Sequence, residues 1–184
     1  PLGMGTMTTA AKRGGVDADT MQPAIEQMAT LNRAAAEAMA TVDAHACTDV
    51  TGFGLAGHAR NIGKASGVTL AIDLANVPLF VGAHALAAEG FCSGGSKRGR
   101  AALGVEVSVA DGLDEALVSL AYDAETSGGL LIAVGEADAA ADLKAGEHRA
   151  RREQVSREGC EGVARDARQA VAVDRLSRDQ RGLA

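Results

Sequence analysis

One acidic residue followed by closely spaced glycines is the segment best suited to chemistry. Asp49 ends a short, mostly apolar stretch, and Gly52 and Gly54 come just before a helical pattern. A carboxylate at a strand end, followed by a glycine turn into a helix, lies where backbone N–H groups face anions. Mg²⁺ takes only one or two protein carboxylates beside a nucleotide, so Asp49 suits a cation shared with phosphate oxygens. The spacing alone favours a plain Asx turn before Gly52.

The elements that position Asp49 are predicted to be a strand, a turn and a helix. Residues 44–48 have the apolar character of a short strand, and Leu55, Ala59 and Ile62 recur at helical spacing. Gly67 then fits a helix C-cap, and residues 68–73 alternate like a strand. Asp49 is therefore expected at the point where the first strand enters the turn.

The remaining pattern continues this alternation. Apolar residues every three or four positions predict one helix over 17–39, capped by Asp17 or Asp19, with Met21, Met28 and Met39 on its core face. Further predicted elements are a helix over 83–89, a loop over 92–100, strands over 105–109 and 130–134, and helices over 113–121 and 137–145. The strand over 130–134 is a continuous apolar run of the buried type. Together they predict an α/β layered domain, a mixed sheet covered by helices.

Composition excludes several classes of protein. The 184 residues are 47% hydrophobic and 23% charged but only 2% aromatic, so aliphatic side chains and methionine must build the core. A net charge of −6 disfavours a nucleic-acid partner. The three cysteines have no C-x-x-C spacing, which argues against disulfides and thiolate metal sites and favours a reducing cytoplasm. With neither a long apolar run nor a signal-like N-terminus, no membrane association or export is expected.

The two ends of the sequence differ from its middle. The chain opens without an initiator Met, which is consistent with a start inside a longer polypeptide. Near Gly146 the composition becomes rich in arginine and free of lysine, and the apolar residues beyond it are too scattered to predict a strand. We therefore divide the chain into a domain over 1–146 and a tail over 147–184. The tail is interpreted either as a solvated or partly disordered extension or as the product of a disturbed reading frame.

Four segments resemble the selenophosphate synthetase (selenide, water dikinase) family, in the family's order. The long segment T-D-V-T-G-F-G-L at 48–55, followed by Gly57 and His58, is similar to its most specific motif. P-L-G-M-G at 1–5 resembles the family's P-L-G-x-G, and T-L-N at 30–32 is also found there. D-A-E-T-S-G-G-L-L at 123–131 is similar to D-P-Q-T-S-G-G-L-L. The resemblance covers residues 1 to about 145 and extends to aminoimidazole ribonucleotide synthetase-like ATP enzymes.

The resemblance implies a C-terminal α/β domain and a specific role for Asp49. In the family, the Asp of T-D-V-T-G-F-G binds the magnesium ions that bridge the ATP phosphates. Thr48, Thr51, Gly52, Ser127 and Gly128 are then expected near the nucleotide phosphates. The family converts ATP, selenide and water into selenophosphate, AMP and orthophosphate, works as a homodimer, and has a reactive Cys or selenocysteine beside a Lys in an N-terminal domain. That portion is not present here, so the resemblance implies no catalytic residue in this chain and no activity of the chain alone.

Some positions depart from the family pattern. Gly99 stands where the family has Asn in G-G-T-x-x-N, Val81 where Pro is common, and Ala124 and Glu125 where Pro and Gln are usual. We interpret Cys47, at an apolar strand end, as a buried and inert thiol.

Each of the other candidate groups has both a structural and a functional interpretation. The cations Lys97, Arg98 and Arg100 either form a solvated face or meet phosphate. The segment 127–129 is either a turn or an anion-binding nest, and the turn is favoured. The four histidines, at positions 45, 58, 84 and 148, have no spacing typical of a metal site.

Two alternative functions stay open. One is another aminoimidazole ribonucleotide synthetase-like ATP enzyme, such as a hydrogenase-maturation protein. The other is a non-catalytic binding domain that kept the fold.

Overall fold

The computed structural model describes residues 1–135 and the backbone of residues 170–173. The helices are α1 (Met4–Lys12), α2 (Ala18–Ala29), α3 (Arg33–Met39), α4 (Gly54–Ser66), α5 (Ala83–Ala88), α6 (Gly94–Leu103) and α7 (Glu115–Ala121). The strands are β1 (Ala44–Asp49), β2 (Leu70–Asp73), β3 (Val107–Val109), β4 (Leu130–Val134) and β5 (Ala170–Val173). None of the helices in the described part of the chain is long and apolar enough to span a membrane.

The strands form two small sheets. β1 pairs antiparallel with β4, and Asp49 lies opposite Leu130 at one end of this ladder. β5 lies between β2 and β3 and is antiparallel to both. An isolated parallel bridge joins Leu2 to Leu79. The predicted α/β class is confirmed, with antiparallel ladders and one isolated parallel bridge among the described pairings.

Two apolar clusters hold the helices on these sheets. The larger packs the inner face of α4 against β2, β3 and α7, with Leu55, Ile72 and Val118 among its most buried members. The smaller packs α1 against α2 and α5, through Met4, Met7 and their neighbours. Aliphatic residues and methionine therefore make up most of the core, as the scarcity of aromatic residues predicts, and each cluster has one buried aromatic member, Tyr122 or Phe80.

The single helix predicted over 17–39 is wrong. The chain forms two helices, because Thr30 leaves the helical conformation and its hydroxyl caps the carbonyl of Glu26 at 2.7 Å. Asp17 is the N-cap, as one of the two predicted alternatives has it, and its carboxylate accepts the N–H of Thr20 at 2.8 Å. Of the predicted core face, Met21 is buried, whereas Met28 and Met39 are only half-buried.

The loop predicted over 92–100 is also wrong, because residues 94–103 form α6. Ser93 caps this helix by accepting the N–H of Ser96 at 3.0 Å, and Ser96 is itself buried. These tertiary contacts override the poor helix propensity of the three glycines. The strand predicted over 105–109 is shorter than expected, since Val105 belongs to a 3₁₀ turn and is 83% exposed.

Two further predictions concern the last part of the chain. β4 is not buried on both faces: only Leu131 and Ala133 are buried, because a two-stranded sheet is covered on one side. No strand is predicted in the tail, and that prediction is wrong because β5 lies there. Its four residues pair with the edge of β2 on one side and with the edge of β3 on the other. The predicted helix over 137–145 and the boundary at Gly146 lie outside the described residues.

Candidate functional site

Asp49 is the last residue of β1, and its side chain is exposed where the strand enters the turn. Its carboxylate makes no hydrogen bond and no ion pair with residues 1–135. An Asx turn would require that carboxylate to accept a main-chain N–H, so the geometry does not favour that interpretation. The group is thus free to bind a ligand from solvent.

Hydrogen bonds from main-chain groups hold the turn that follows Asp49 in place. The carbonyl of Thr51 accepts N–H groups from Gly54 and from Glu125, both at 3.0 Å, and the N–H of Val50 donates to the carbonyl of Gly129 at 2.9 Å. The N–H of Thr51 donates to Nε2 of His58 at 3.0 Å. The turn therefore has fixed partners both in α4 and in the segment before β4.

That second segment carries the predicted phosphate residues Ser127 and Gly128. Ser127 has a positive φ of 55°, within a turn, which agrees with the turn interpretation of 127–129. A Cβ on Gly128 would lie 2.2 Å from the carbonyl oxygen of Val50, so only glycine fits between the two segments. The amide of Asn32 donates to the carbonyl of Gly128 at 2.8 Å. The T-L-N, T-D-V-T-G-F-G and T-S-G-G segments therefore meet at one place.

The fourth segment, P-L-G-M-G, joins them through two buried acids. Asp123 and Glu125 are 1% and 3% exposed. Glu125 accepts the N–H groups of Gly3 and Met4 at 2.7 and 3.2 Å, and Asp123 accepts the N–H of Thr6 at 2.6 Å. Both carboxylates thus serve the N-terminal end of α1, where unpaired N–H groups favour negative charge.

Asp123 also connects α6 to this network. The Ser96 hydroxyl donates to Asp123 at 2.7 Å and accepts the N–H of Ala124 at 3.2 Å. Sequence reasoning missed this role because it placed residues 92–100 in a loop. The signal available was the spacing of Ser93 and Ser96, which fits an N-cap pair.

Glu125 is the most perturbed acid of this network. Its pKa is raised to about 7, mainly by burial; the N–H donors of Gly3 and Met4 oppose this shift, and the neighbouring Asp123 contributes to it. Glu125 stands where the resembling family has an uncharged Gln. The charged form of this side chain is therefore unfavourable in the folded state.

The raised pKa of Glu125 predicts a loss of stability on going from acid to neutral pH. The folded state binds more protons than the unfolded state between the ordinary carboxyl pKa near 4.5 and about 7, so the free energy of unfolding falls as pH rises through that window. The full cost, reached above pH 7, is about 3 kcal/mol. We expect Glu125→Gln to raise the thermal midpoint at pH 8 and to change it little at pH 4.5.

Thermal unfolding followed by circular dichroism from pH 4.5 to 8.5 measures this difference. Glu115→Gln is the matched control, because Glu115 is exposed and pairs with Arg100 at the surface. Parallel pH profiles for the wild type and Glu125→Gln would contradict the assignment.

Several other predicted groups lie elsewhere. Lys97 and Arg98 are on the exposed side of α6, while Arg100 pairs with Glu115 and lies over the ring of Tyr122, 5.5 Å from its centroid. The expectation that Cys47 is buried is wrong, because alternate side chains of β1 face solvent and Cys47 is exposed. Partial desolvation and the nearby Asp49 raise the pKa of its thiol, so the thiol form is favoured.

The described histidines, at positions 45, 58 and 84, do not form a metal site. Within residues 1–135, no group of three His, Cys, Asp or Glu side chains could hold a metal ion. His84 pairs with Asp114 at 2.7 Å and His45 approaches Asp43 at 3.8 Å, both on the surface, and His148 is outside the described residues. Of the described histidines, His58 is the one that contacts the Asp49 turn. Burial lowers the pKa of His58, against the opposing effect of Asp49.

The donor set around Asp49 fits a hard cation held jointly with phosphate. Asp49 offers carboxylate oxygens, whereas the hydroxyls of Thr48 and Thr51, its neighbours in the chain, face the ring of His58. Mg²⁺ prefers oxygen ligands and commonly keeps water, so a single protein carboxylate is compatible with a site completed by phosphate oxygens. No thiolate or imidazole cluster competes for this role among the described residues.

Comparisons with known proteins identify the family of this chain. The family described as "AIR synthase related protein, C-terminal domain" matches residues 1–156. The chain belongs to this family, and the matched region contains all four segments that meet at the Asp49 turn.

Its similar relatives are more specific in name. The protein named "Selenide, water dikinase" from Caldanaerobacter subterraneus is 43% identical to this chain, over 74% of this chain and 39% of the relative. The Geobacter metallireducens protein of that name is 46% identical over 72% of this chain and 38% of the relative. The Nitratidesulfovibrio vulgaris protein is 41% identical over 79% of this chain and 42% of the relative. The chain thus spans about two fifths of the length of these relatives.

Proposed function

We propose that this chain is the C-terminal domain of a selenide, water dikinase, which makes selenophosphate, AMP and orthophosphate from ATP, selenide and water. The observation that carries the proposal is the exposed carboxylate of Asp49, which has no bonded partner among residues 1–135 and lies at the point where four family segments meet. The names of the relatives support the reaction. The chain is then part of a phosphotransferase of selenium metabolism that supplies selenophosphate for selenocysteine formation.

In this proposal Asp49 holds Mg²⁺, and the segments around it form one wall of the nucleotide cleft. The cation supplies charge neutralisation on the phosphate oxygens, which is the main requirement of phosphoryl transfer. In this wall, Thr48, Thr51 and Gly52 belong to the end of β1 and the turn after it. Ser127 and Gly128 belong to the adjacent segment before β4. The contacts of Val50 with Gly128 and Gly129 support this placement because they keep the two sides adjacent.

The proposal includes the parts of the enzyme that the family resemblance places outside these residues. An N-terminal domain carries the reactive Cys or selenocysteine with its Lys, and the complete protein is a cytoplasmic homodimer that binds neither nucleic acid nor membrane. Within the chain, residues 1–146 form the enzyme domain and 147–184 a tail. The family match extends past this boundary, to residue 156, and β5 lies within the proposed tail. Both observations favour a tail that begins later than residue 147.

We expect no selenide-dependent AMP formation by the purified 184-residue chain, because the proposed nucleophile and the remaining metal ligands belong to the other domain. The measurement is AMP release from ATP with and without selenide. Turnover by this chain alone would contradict the division of the active site between two domains.

Calorimetry with Mg-ATP separates the proposal from its alternatives. We expect weak binding to the chain alone and tight binding after an N-terminal selenide, water dikinase domain is added. A non-catalytic binding domain would bind ATP, or fail to bind it, equally in both experiments. Complementation only by the N-terminal domain of an aminoimidazole ribonucleotide synthetase would favour that enzyme instead.

A further inference from the structure

His58 reaches from the second turn of α4 to both sides of Asp49. Its side chain is buried, at 7% exposure. Nε2 lies 3.0 Å from the backbone nitrogen of Thr51 and 3.1 Å from the Thr51 hydroxyl, and Nδ1 lies 3.4 Å from the Thr48 hydroxyl. One imidazole ring therefore contacts the residue before Asp49 and the residue two positions after it.

The hydrogen-bond directions define one tautomer of this ring. The backbone N–H of Thr51 can only donate, so Nε2 accepts and carries no proton. The proton of the neutral ring is then on Nδ1, which donates to the Thr48 hydroxyl. That hydroxyl donates in turn to the carbonyl oxygen of Asp49 at 3.1 Å. The ring is thus linked through one hydroxyl to the peptide of Asp49 itself.

Packing alone does not account for a histidine at this position. The neighbouring inward positions of α4 are filled by Leu55, Ala59 and Ile62, which belong to the main apolar cluster. A buried imidazole is unfavourable unless its polar atoms are bonded, and here both nitrogens face partners in the turn. Among the described residues, no other acceptor is bonded to the N–H of Thr51.

We infer that His58 is a positioning residue that holds the main chain on both flanks of Asp49 and thereby sets the direction of its carboxylate. This inference rests on the proposed function, since it concerns how Asp49 presents its oxygens to a magnesium-bound phosphate. Partners that orient a metal ligand commonly change metal affinity by about tenfold or more when removed. His58 acts through Thr48 and Thr51 and does not itself touch the cation.

The first test measures the contact directly in the 184-residue chain. We expect ¹⁵N NMR of the His58 ring to show the Nδ1–H tautomer, and hydrogen exchange to show a protected Thr51 amide. His58→Phe keeps a ring of similar size but removes the acceptor, so exchange at Thr51 should accelerate at least about tenfold. His58→Gln places an oxygen near the position of Nε2 and should restore protection. An Nε2–H tautomer, or unchanged exchange in His58→Phe, would overturn the inference.

The second test measures the effect on metal use in the complete enzyme that carries this chain. We expect His58→Phe to raise the Mg²⁺ concentration that gives half-maximal activity by about tenfold, with a smaller change in the KM for selenide. The His58→Gln variant should need a Mg²⁺ concentration close to that of the wild type for half-maximal activity. His84→Gln is the control, because His84 is an exposed histidine that pairs with Asp114 and has no described contact with the Asp49 turn.

Two further variants keep the outcomes distinguishable. Asp49→Asn tests the proposed function: if it leaves the Mg²⁺ requirement unchanged, the metal assignment fails, whatever the exchange of Thr51 shows. If Asp49→Asn raises the requirement but His58→Phe does not, the positioning role fails and the metal assignment stands. Should His58→Phe not fold, His58→Asn removes the Nε2 acceptor with less steric change and is expected to give the same shifts.

Discussion

Replacing Asp49 with alanine in the complete enzyme should abolish selenide-dependent AMP formation, with a loss of about a thousandfold or more. The expected loss is large because the carboxylate is the single described acidic group at the turn, and a metal at phosphate oxygens contributes several kcal/mol to transition-state stabilisation. The fold should change little, since the side chain is exposed and makes no hydrogen bond with residues 1–135. We expect the free energy of unfolding to stay within about 0.5 kcal/mol of the wild type.

The measurement combines AMP release with thermal unfolding of the same preparations. Asp43→Ala is the matched control, because Asp43 directly precedes β1 and is as exposed, but lies at the opposite end of the strand. Activity near that of the wild type in Asp49→Ala would remove the metal assignment. A large loss of stability would instead give Asp49 a structural role that its contacts do not show.

Replacing Gly128 with alanine should disrupt both the fold and the site. The added Cβ would lie 2.2 Å from the Val50 carbonyl oxygen and 3.0 Å from Cβ of Glu125, and the first of these atoms is backbone that cannot turn aside. Relief of this overlap requires the β1 turn and the segment before β4 to separate, which also strains the bond from Asn32. We expect a loss of about 3 kcal/mol or more in the free energy of unfolding.

The adjacent glycine provides the control for this prediction. A Cβ on Gly129 would meet no atom within 4 Å, and Gly129 does not have a positive φ, so Gly129→Ala should be tolerated. Denaturant unfolding of the two variants measures the difference, and Mg-ATP titration of the complete enzyme shows whether the site is lost as well. Equal stability of the two variants would show that the two segments are not in the tight contact described.

Local patterns were sufficient to predict the elements next to Asp49. β1, α4 and the cap at Gly67 follow from short-range periodicity and from a glycine with φ of 67°, which depend on neighbouring residues only. Asp17 as an N-cap and the helix that ends before Gly90 are of the same kind. The proposed role of Asp49 came from the resemblance to the family, since spacing alone favoured an Asx turn.

The failures are at places where a distant contact decides the local structure. Asn32 interrupts the predicted helix while its amide bonds Gly128, 96 residues further along the chain. α6 forms in a glycine-rich segment because Ser96 is fixed by Asp123. The contacts of His58 could not be predicted either, since no periodicity shows that its ring nitrogens face Thr48 and Thr51. The glycines and polar residues of these segments carry no apolar pattern from which such pairing could be inferred.

The central place of β5 has a consequence for the order in which the protein is made. β2 and β3 have been synthesised by residue 109, but the strand that joins them is not translated until residue 173. During that interval on the ribosome, the facing edges of β2 and β3 have unpaired peptide groups that another nascent chain can pair with. Closing such a distant pairing is slow compared with local helix formation. The yield of correctly folded protein should therefore depend on what protects these two edges until translation reaches their shared partner.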